Sequence, residues 1–261
     1  MSLRALLFDL DGTLADTESY GHRPAYNRAF RALGLRFRWG PKLYRRLLAQ
    51  PSGRERLMHY LTRYQPELDD HAEAVSESPD AWVDHVHQLK SRYFRRYLVQ
   101  GKVPLRPGVA RLLREASDAG LRIGVVTNAS RASVKPFLQY GLGADLSERI
   151  TLVVAGNQVA ARKPSPDLYR HALAQLKLAP YECIAVEDSE MGLAAARAAG
   201  IPTVITVNDD TAEHDFTAAS LVLDCLGEPT QAAHVLGGRM DEPCLTLKTL
   251  RRIARTAAPR L

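Results

Sequence analysis

A short apolar strand near the start of the chain ends in two aspartates and a glycine, within residues 6–13 (LLFDLDGT). Side chains two positions apart on an extended backbone point to the same side, so Asp9 and Asp11 face the same way. Two carboxylates so close together repel each other, and each resists ionising unless a cation lies between them. Gly12 allows the chain to turn sharply after them. The pattern predicts a metal-assisted catalytic edge at the end of a buried strand.

The order Asp-x-Asp-Gly also begins calcium-binding loops, which is the main alternative for this segment. Such loops need further oxygen ligands, most of them acidic, at alternate positions. Here Thr13, Ala15 and Thr17 occupy those positions. The missing carboxylates favour the catalytic interpretation.

From Pro104 onward, short apolar strands alternate with helical segments. After a first strand at 3–8, we expect strands at 121–126, 152–154, 183–186, 203–207 and 221–223. Repeated strand–helix alternation is typical of a parallel sheet that is covered by helices on both faces. The predicted fold class is therefore α/β, with a Rossmann-like parallel sheet as its core.

Between the first strand and the rest of this pattern, the apolar spacing is helical throughout. Glycine, proline and polar residues interrupt it and divide the segment into several helices. We interpret this segment as an all-helical cap domain inserted into the core. The expected domains are a catalytic core of 1–14 and 101–230, a cap of 15–100, and a basic C-terminal extension of 231–261.

Charge and composition narrow the class of partner. The net charge is +6, and residues 15–100 contain more basic than acidic side chains. This fits a small anionic substrate, whereas no helix-turn-helix, zinc-finger or aromatic-basic motif supports nucleic-acid binding. No apolar run is long enough for a membrane span. The first apolar stretch already ends in Asp9, which leaves no room for a leader.

Three cysteines with no metal-binding spacing fit a reducing compartment, so we expect a cytoplasmic protein. We also expect a monomer that has no nucleic-acid or membrane partner.

Polar residues follow four of the predicted strands, where each strand ends or in the loop after it. Carboxyl ends of parallel strands meet at one edge of a sheet, which is the usual reactive edge. Each residue alone has a structural explanation, such as a helix cap or an exposed lysine. All four groups in order form a far more specific signal: Asp9 and Asp11, then Thr127 and Asn128, then Lys163, then Glu187 and Asp188.

This set resembles the haloacid dehalogenase superfamily of phosphotransferases, over residues 3–223. The helical insert is similar to the four-helix caps of its phosphatase and sugar-phosphate mutase branch. Four segments most resemble the CbbY-type sugar bisphosphate phosphatases: Thr17-Glu18 with His22-Arg23, Leu43-Tyr44, Ser52-Gly53-Arg54-Glu55-Arg56, and Thr127-Asn128-Ala129-Ser130. The resemblance implies a small phosphorylated sugar as substrate, of the xylulose-1,5-bisphosphate type.

The same resemblance implies roles at the sheet edge. Asp9 is the expected nucleophile, which forms an aspartyl-phosphate. Asp11 is expected to protonate the departing sugar oxygen and then to deprotonate the attacking water. The expected cofactor is Mg²⁺, bound by the carboxylates of Asp9 and Asp188 and the backbone carbonyl of Asp11. We expect Glu187 to lie behind these ligands.

Three further residues are expected to contact the phosphoryl group. Thr127 and Asn128 can donate hydrogen bonds to its oxygens, and Lys163 can neutralise charge on Asp9 and on the phosphate. Asp11 also argues against dehalogenation, because a departing halide needs no proton donor.

In the cap, we expect the planar guanidinium of Arg54 to bind a second phosphate of the substrate. Arg56 is better explained as part of a salt-bridged helical surface. The other expected substrate-binding positions of the cap are Glu18, His22, Tyr44, Gly53 and Lys90.

Three other functions stay open. A phosphomutase of the β-phosphoglucomutase type would use the same residues but transfer its phosphoryl group to a second sugar. A phosphoglycolate phosphatase would have little use for Arg54 as a second phosphate site. A non-catalytic regulator that binds sugar phosphates is the remaining alternative.

Overall fold

The computed structural model describes residues 2–258 of the chain, which forms two compact units. The first unit contains the described residues before Thr17 and those from Leu105 onward, and the second unit is Thr17–Pro104. The sequence analysis placed these boundaries two to four residues earlier. It also treated residues 231–261 as an extension, whereas the structure includes their described part in the first unit.

A seven-stranded sheet forms the centre of the first unit. Its strands are β1 (Ala5–Phe8), β2 (Arg122–Thr127), β3 (Leu152–Ala155), β4 (Cys183–Glu187), β5 (Thr203–Thr206), β6 (Leu221–Leu223) and β7 (Val235–Gly237). The strand order is β3-β2-β1-β4-β5-β6-β7. The first six strands are parallel, and β7 is antiparallel to β6. This confirms the predicted α/β, Rossmann-like class.

Strand β1 lies between β2 and β4, with Phe8 level with Val125 and Val186. All four residues of β1 are buried, because helices cover both faces of a parallel sheet. The chain proceeds outward on one side of β1 through β2 and β3, and then on the other side from β4. This change of direction is where parallel sheets commonly bind ligands, at the carboxyl ends of the strands.

The second unit contains only helices as secondary structure over its described residues 17–104. Its α-helices are α1 (Arg23–Ala32), α2 (Pro41–Leu47), α3 (Gly53–Tyr64), α4 (Ala72–Glu77) and α5 (Pro79–Val99). A short π-helix, Glu18–His22, leads into α1, and a 3₁₀ turn, Asp69–His71, precedes α4. The core of this unit is rich in aromatic side chains, among them Tyr26, Phe30, Trp39, Tyr60 and Trp82.

The remaining helices belong to the first unit. They are α6 (Val109–Asp118), α7 (Arg131–Pro136), α8 (Gly143–Glu148), α9 (Asp167–Leu176), α10 (Glu190–Ala198) and α11 (Leu247–Ala257), with a π-helix at Phe137–Gly141 and a 3₁₀ turn at Pro180–Glu182. Helix α10 begins directly after β4, where the Ser189 side chain accepts a hydrogen bond from the backbone of Gly192. None of the helices in residues 2–258 combines the length and apolar character that crossing a membrane requires.

Two side chains of α6 bind the C-terminal segment to the first unit. Arg111 donates to the backbone carbonyl of Leu245 in this segment, and also to those of Leu226 and Gly227 just before it. Glu115 accepts a hydrogen bond from the backbone of Leu247, at the start of α11. These bonds, together with the burial of Leu247 and Leu250, explain why the segment is part of the unit and not a separate extension.

Candidate active site

Lys163 lies at the centre of the buried polar residues at the sheet edge. Its ammonium donates to Asp9 Oδ1 at 2.6 Å, to Glu187 Oε1 at 2.6 Å and to the Val126 carbonyl at 2.7 Å. Burial alone would lower its pKa, but the carboxylates of Asp9 and Glu187 outweigh burial and raise the pKa. Lys163 is therefore a charged group in contact with the carboxylate at the end of β1.

The loop that bears Lys163 is bound to the end of β2 through Asn128. The Asn128 side-chain oxygen accepts from the Lys163 backbone at 2.9 Å, and its amide donates to the Lys163 carbonyl at 3.3 Å. Thr127 is buried, and its hydroxyl oxygen accepts from the Ala129 backbone at 3.1 Å. The structure thus brings the predicted residues Thr127, Asn128 and Lys163 together with Asp9.

Three buried carboxylates lie close enough to bind one metal ion. Asp9, Glu187 and Asp188 each offer an oxygen atom, and these atoms lie within 4.8 Å of one another. Burial raises the pKa of Asp9 well above its usual value, with the neighbouring carboxylates adding to the effect and Lys163 opposing it. Burial and the adjacent Glu187 raise the pKa of Asp188 to about 7. A divalent cation would relieve this repulsion.

Two of these carboxylates fit a metal ion better than the third. Glu187 Oε1 already accepts from Lys163 and, at 2.5 Å, from the hydroxyl of Tyr169. Its other oxygen is buried without a hydrogen-bond partner and lies against Gly192, where any larger side chain would collide with it. Asp9 and Asp188 are thus the better candidates, and Glu187 lies behind them.

Gly12 brings the turn after β1 against Asp188. Its φ angle is +87°, and a side chain at this position would collide with Asp188 Oδ2 and the amide of Asn208. The Asn208 amide donates to Asp188 Oδ2 at 2.7 Å and to the Gly12 carbonyl at 3.3 Å. Asp11 is half-buried on the same turn, where it forms a β-bridge with Ala15.

Sequence analysis missed three residues of this region: Asn208, Arg106 and Tyr169. Asn208 follows the end of β5, just as Asp9 follows β1, so its place at a strand end was a usable signal. Arg106 donates to the Gly12 carbonyl at 2.5 Å, and Tyr169 binds Glu187 from within α9. Neither has a local pattern, because both act through long-range contacts.

In the second unit, the buried Tyr44 and the partly buried Glu18 and Arg56 form one network. The Tyr44 hydroxyl donates to Glu18 Oε2 at 2.5 Å, and Arg56 donates to Glu18 Oε1 at 3.1 Å. Burial raises the pKa of Tyr44, and Glu18 adds to that effect. Two of the predicted substrate-binding residues therefore share contacts with Arg56, which the sequence analysis took for part of a helical surface.

His22 and Lys90 form a second pair in this unit. The Lys90 ammonium lies 2.8 Å from His22 Nδ1 and over the ring of Tyr26, with 4.9 Å to the ring centroid. His22 in turn stacks on Phe94, with 4.0 Å between ring centroids.

Arg54 and Gly53 lie at the start of α3. The half-exposed Arg54 forms an ion pair with Asp84 at 2.6 Å, and Asp80 lies 3.7 Å away. The Gly53 carbonyl accepts from the Tyr26 hydroxyl at 3.0 Å. Any phosphate that binds Arg54 must therefore compete with a carboxylate.

Comparison with known proteins agrees with this geometry. A family model described as haloacid dehalogenase-like hydrolase matches residues 3–200. The chain is 44% identical to Protein CbbY of Cupriavidus necator over 229 residues, which is 88% of each chain. It is 38% identical to Protein CbbY of Rhodobacter capsulatus over 234 residues, which is 89% of this chain and 98% of the relative.

Solved structures show the same similarity. The crystal structure of CbbY from Rhodobacter sphaeroides in complex with phosphate is 37% identical, with a TM-score of 0.72, and the match covers 86% of this chain and 95% of that one. A mutant of that protein in complex with xylulose-(1,5)bisphosphate matches with a TM-score of 0.73 at 36% identity, over 88% of this chain and 96% of that one. The chain therefore belongs to the haloacid dehalogenase-like hydrolases, as a phosphatase of their CbbY-like group.

Proposed function

We propose that the protein is a Mg²⁺-dependent phosphatase that hydrolyses a small sugar bisphosphate, of the xylulose-1,5-bisphosphate type, through an aspartyl-phosphate. The observation that carries this proposal is the buried contact of Asp9 with Lys163, beside Asp188, at the end of β1. The xylulose-(1,5)bisphosphate complex of the similar structure supports the choice of substrate.

The first half of the proposed reaction uses Asp9 and Asp11. Lys163 binds Asp9 Oδ1, so we assign the attack on phosphorus to Oδ2. As the new oxygen–phosphorus bond forms, the bond from phosphorus to the sugar oxygen breaks, and Asp11 gives its proton to that oxygen. In the second half, Asp11 takes a proton from water, which attacks the aspartyl-phosphate and releases inorganic phosphate and the Asp9 carboxylate.

The proposed ligands of Mg²⁺ are the carboxylates of Asp9 and Asp188 and the backbone carbonyl of Asp11. When bound, the ion supplies positive charge that offsets the negative charge of the carboxylates and of the transferring phosphoryl group.

Donors from the neighbouring loops complete the proposed phosphoryl site. The Thr127 hydroxyl accepts from Ala129 and can donate its own hydrogen to a phosphoryl oxygen. The Asn128 amide has a second hydrogen besides the one directed to the Lys163 carbonyl. The Lys163 ammonium offsets charge on both Asp9 and the phosphate.

In the second unit, we propose that Arg54 binds the phosphate that is not transferred. It is half-exposed, and its planar guanidinium suits a phosphate. When the phosphate binds, it must replace Asp84 as the ion-pair partner of Arg54. The further proposed contacts to the sugar are Glu18, His22, Tyr44, Gly53 and Lys90.

The decisive test is phosphate release from purified protein, assayed with xylulose-1,5-bisphosphate, sugar monophosphates and phosphoglycolate. We expect turnover that EDTA abolishes and Mg²⁺ restores. Asp9→Asn should abolish turnover, whereas Asp215→Asn, on the exposed surface of the same unit, should keep it. Full activity of Asp9→Asn or of the EDTA-treated protein would contradict the mechanism.

The same assay separates the alternatives by their products. A phosphomutase would give an isomerised sugar phosphate with little free phosphate, and a regulator would bind sugar phosphates without turnover. Preference for phosphoglycolate over every bisphosphate would replace the proposed substrate.

Arg54→Ala tests the second phosphate site. We expect it to lower kcat/KM for the bisphosphate by about a hundredfold, since a charged hydrogen bond contributes about 1.5–3 kcal/mol. Monophosphates should change less than about threefold, because they lack the group that Arg54 binds. Arg63→Ala, an exposed change on the same helix, is the matched control. Equal losses for both substrate classes would refute this role for Arg54.

We further propose that the protein acts as a cytoplasmic monomer. Its three cysteines are free thiols, which fits a reducing compartment. Light scattering of the purified protein measures its mass in solution, and a stable dimer would contradict the monomer.

A further inference from the structure

Arg106 is a buried cation at the sheet edge that the proposed reaction does not use. Only 6% of the residue is exposed, and Asp16 approaches its Nε atom to 3.7 Å. Both terminal nitrogens donate to backbone carbonyls. The acceptors of Nη1 are Gly12 at 2.5 Å and Thr206 at 2.9 Å, and those of Nη2 are Val207 and Asp224, both at 2.6 Å.

All four acceptors lie where strands end. Gly12 is on the turn after β1, Thr206 and Val207 are at the end of β5, and Asp224 follows β6. The guanidinium carries its donors in one rigid plane and can bind all three segments at once, which the single nitrogen of lysine cannot do with the same geometry.

A second side chain links these segments to the proposed catalytic groups. The Gly12 carbonyl, which Arg106 binds, also accepts from the Asn208 amide, and the same amide donates to Asp188. Val207, whose carbonyl Arg106 binds, directly precedes Asn208. Arg106 thus binds two carbonyls beside Asn208, the residue whose amide orients Asp188.

The backbone of Arg106 is fixed independently of its side chain. Its N–H donates to the Leu14 carbonyl at 3.0 Å, and the preceding Leu105 forms a β-bridge with Ala15. These main-chain contacts do not involve the side chain at position 106. A guanidinium is costly to bury, and an apolar side chain could fill the same space without that cost.

We propose that Arg106 is a positioning residue, which fixes the Gly12 turn and Asn208 and so aligns Asp11 and Asp188 for catalysis. This inference rests on the roles proposed above for Asp11 and Asp188.

The primary test compares Arg106→Lys with Arg111→Lys, the matched control. Arg111 also donates to three backbone carbonyls of the first unit, those of Leu226, Gly227 and Leu245, but none of them lies on the turn after β1. For p-nitrophenyl phosphate, we expect Arg106→Lys to lower kcat about a hundredfold, the effect of a small misplacement of reacting groups. KM should change less than about threefold, and Arg111→Lys should keep kcat.

Binding of Mn²⁺, followed by electron paramagnetic resonance without substrate, gives a readout that does not depend on turnover. We expect Arg106→Lys to weaken Mn²⁺ binding about tenfold, because Asp188 loses its fixed orientation, and Arg111→Lys to leave binding unchanged. Adding methylguanidinium should restore part of the kcat of Arg106→Ala, because it can replace the missing guanidinium. A variant that is only less stable would not respond in this way.

Asn208→Ala is the second variant, and it keeps the test valid if changes at position 106 prevent folding. It should lower kcat at least tenfold, and the double variant should lose less than the product of the two single losses, since both act on Asp188.

An unchanged kcat and Mn²⁺ affinity in Arg106→Lys would overturn the inference. Equal kcat losses in Arg106→Lys and Arg111→Lys would also overturn it, because they would show a general effect on folding. If no variant at position 106 folds, an Asn208→Ala variant that keeps its kcat would overturn the inference. Wild type and Asp9→Asn are assayed in the same series and test the proposed function separately. That function fails if wild type shows no turnover or if Asp9→Asn keeps full activity.

Discussion

At the scale of single residues, the site places three carboxylates and one ammonium in a buried space. Lys163 offsets part of the charge of Asp9 and Glu187, while Asp188 takes hydrogen bonds from Asn208 and, at 3.4 Å, from Thr13. The raised pKa values of Asp9 and Asp188 show that the negative charge remains costly without a further cation.

Gly12 offers a test of the turn that carries Asp11. In Gly12→Ala, we expect activity to fall at least a hundredfold, because the new methyl group would displace the Asp188 carboxylate. The matched control is Gly120→Ala, where φ is +76° but no atom lies within 4 Å of the added carbon. It should lose about 1 kcal/mol of stability and keep its activity. Equal activity of the two variants in a phosphate-release assay would show that the contact with Asp188 is unimportant.

The lowered pKa of His87 predicts that the stability of the second unit depends on pH. Burial lowers its pKa to about 4, with Lys90, His22 and Arg54 adding to the effect and Asp84 opposing it. Between this value and the usual pKa near 6.5, the unfolded chain binds a proton that the folded chain does not bind. Stability should therefore fall as the pH falls from about 6.5 to 4, by at most about 3 kcal/mol.

The measurement is urea unfolding of wild type and His87→Gln at pH 7.5 and pH 5. Because glutamine does not titrate, the variant should lose less stability than wild type between the two pH values. Parallel losses in the two proteins would show that other groups cause the acid sensitivity.

At the scale of elements, the C-terminal segment shows where local pattern stops being informative. The apolar residues of helix α11 have helical spacing, and Leu247, Leu250 and Ala254 are buried. Strand β7 has no such pattern, because it has three residues, of which Val235 and Leu236 are exposed. Such a strand exists through its pairing with β6, and pairing between distant segments leaves no periodic pattern.

A truncated variant that lacks residues 239–261 tests how far α11 stabilises the first unit. We expect a loss of several kcal/mol, since burial of each leucine contributes about 1.5–3 kcal/mol. The truncation also removes the Leu245 carbonyl that accepts from Arg111 and the Leu247 backbone N–H that donates to Glu115. Arg251→Ala, an exposed change on α11, is the control and should unfold like wild type. An unchanged urea midpoint in the truncated variant would contradict the prediction.

At the scale of the whole molecule, catalysis and stability make opposite demands on the same residues. Asp9, Glu187 and Asp188 repel one another in the metal-free protein, yet the proposed reaction needs Asp9 and Asp188. A ligand that binds only the folded state shifts the folding equilibrium towards it.

We therefore expect Mg²⁺ to raise the thermal midpoint, by a stabilisation of about 2.7 kcal/mol at a hundred times its dissociation constant. In Asp188→Asn, the metal-free midpoint should equal or exceed that of wild type, and the effect of Mg²⁺ should disappear. Asp215→Asn should respond like wild type. A thermal midpoint that does not respond to Mg²⁺ in calorimetry would contradict a metal site at these carboxylates.

The sequence by itself determined the α/β class, the first six strands and the polar groups at their ends. These features follow from local pattern, since apolar runs give buried strands, and parallel strands bring their carboxyl ends to one edge. Asp9, Thr127, Lys163 and Asp188 could be found in this way without coordinates.

Only the tertiary structure decided which residues surround that set. The bonds from Arg106 to its four carbonyl acceptors join residues far apart in the chain, as do the bond from Asn208 to Asp188 and the bond from Leu247 of α11 to Glu115. Such contacts depend on the direction of a side chain in three dimensions. Hydrogen bonds of this kind leave no spacing in the sequence, because their partners come together only when the chain has folded.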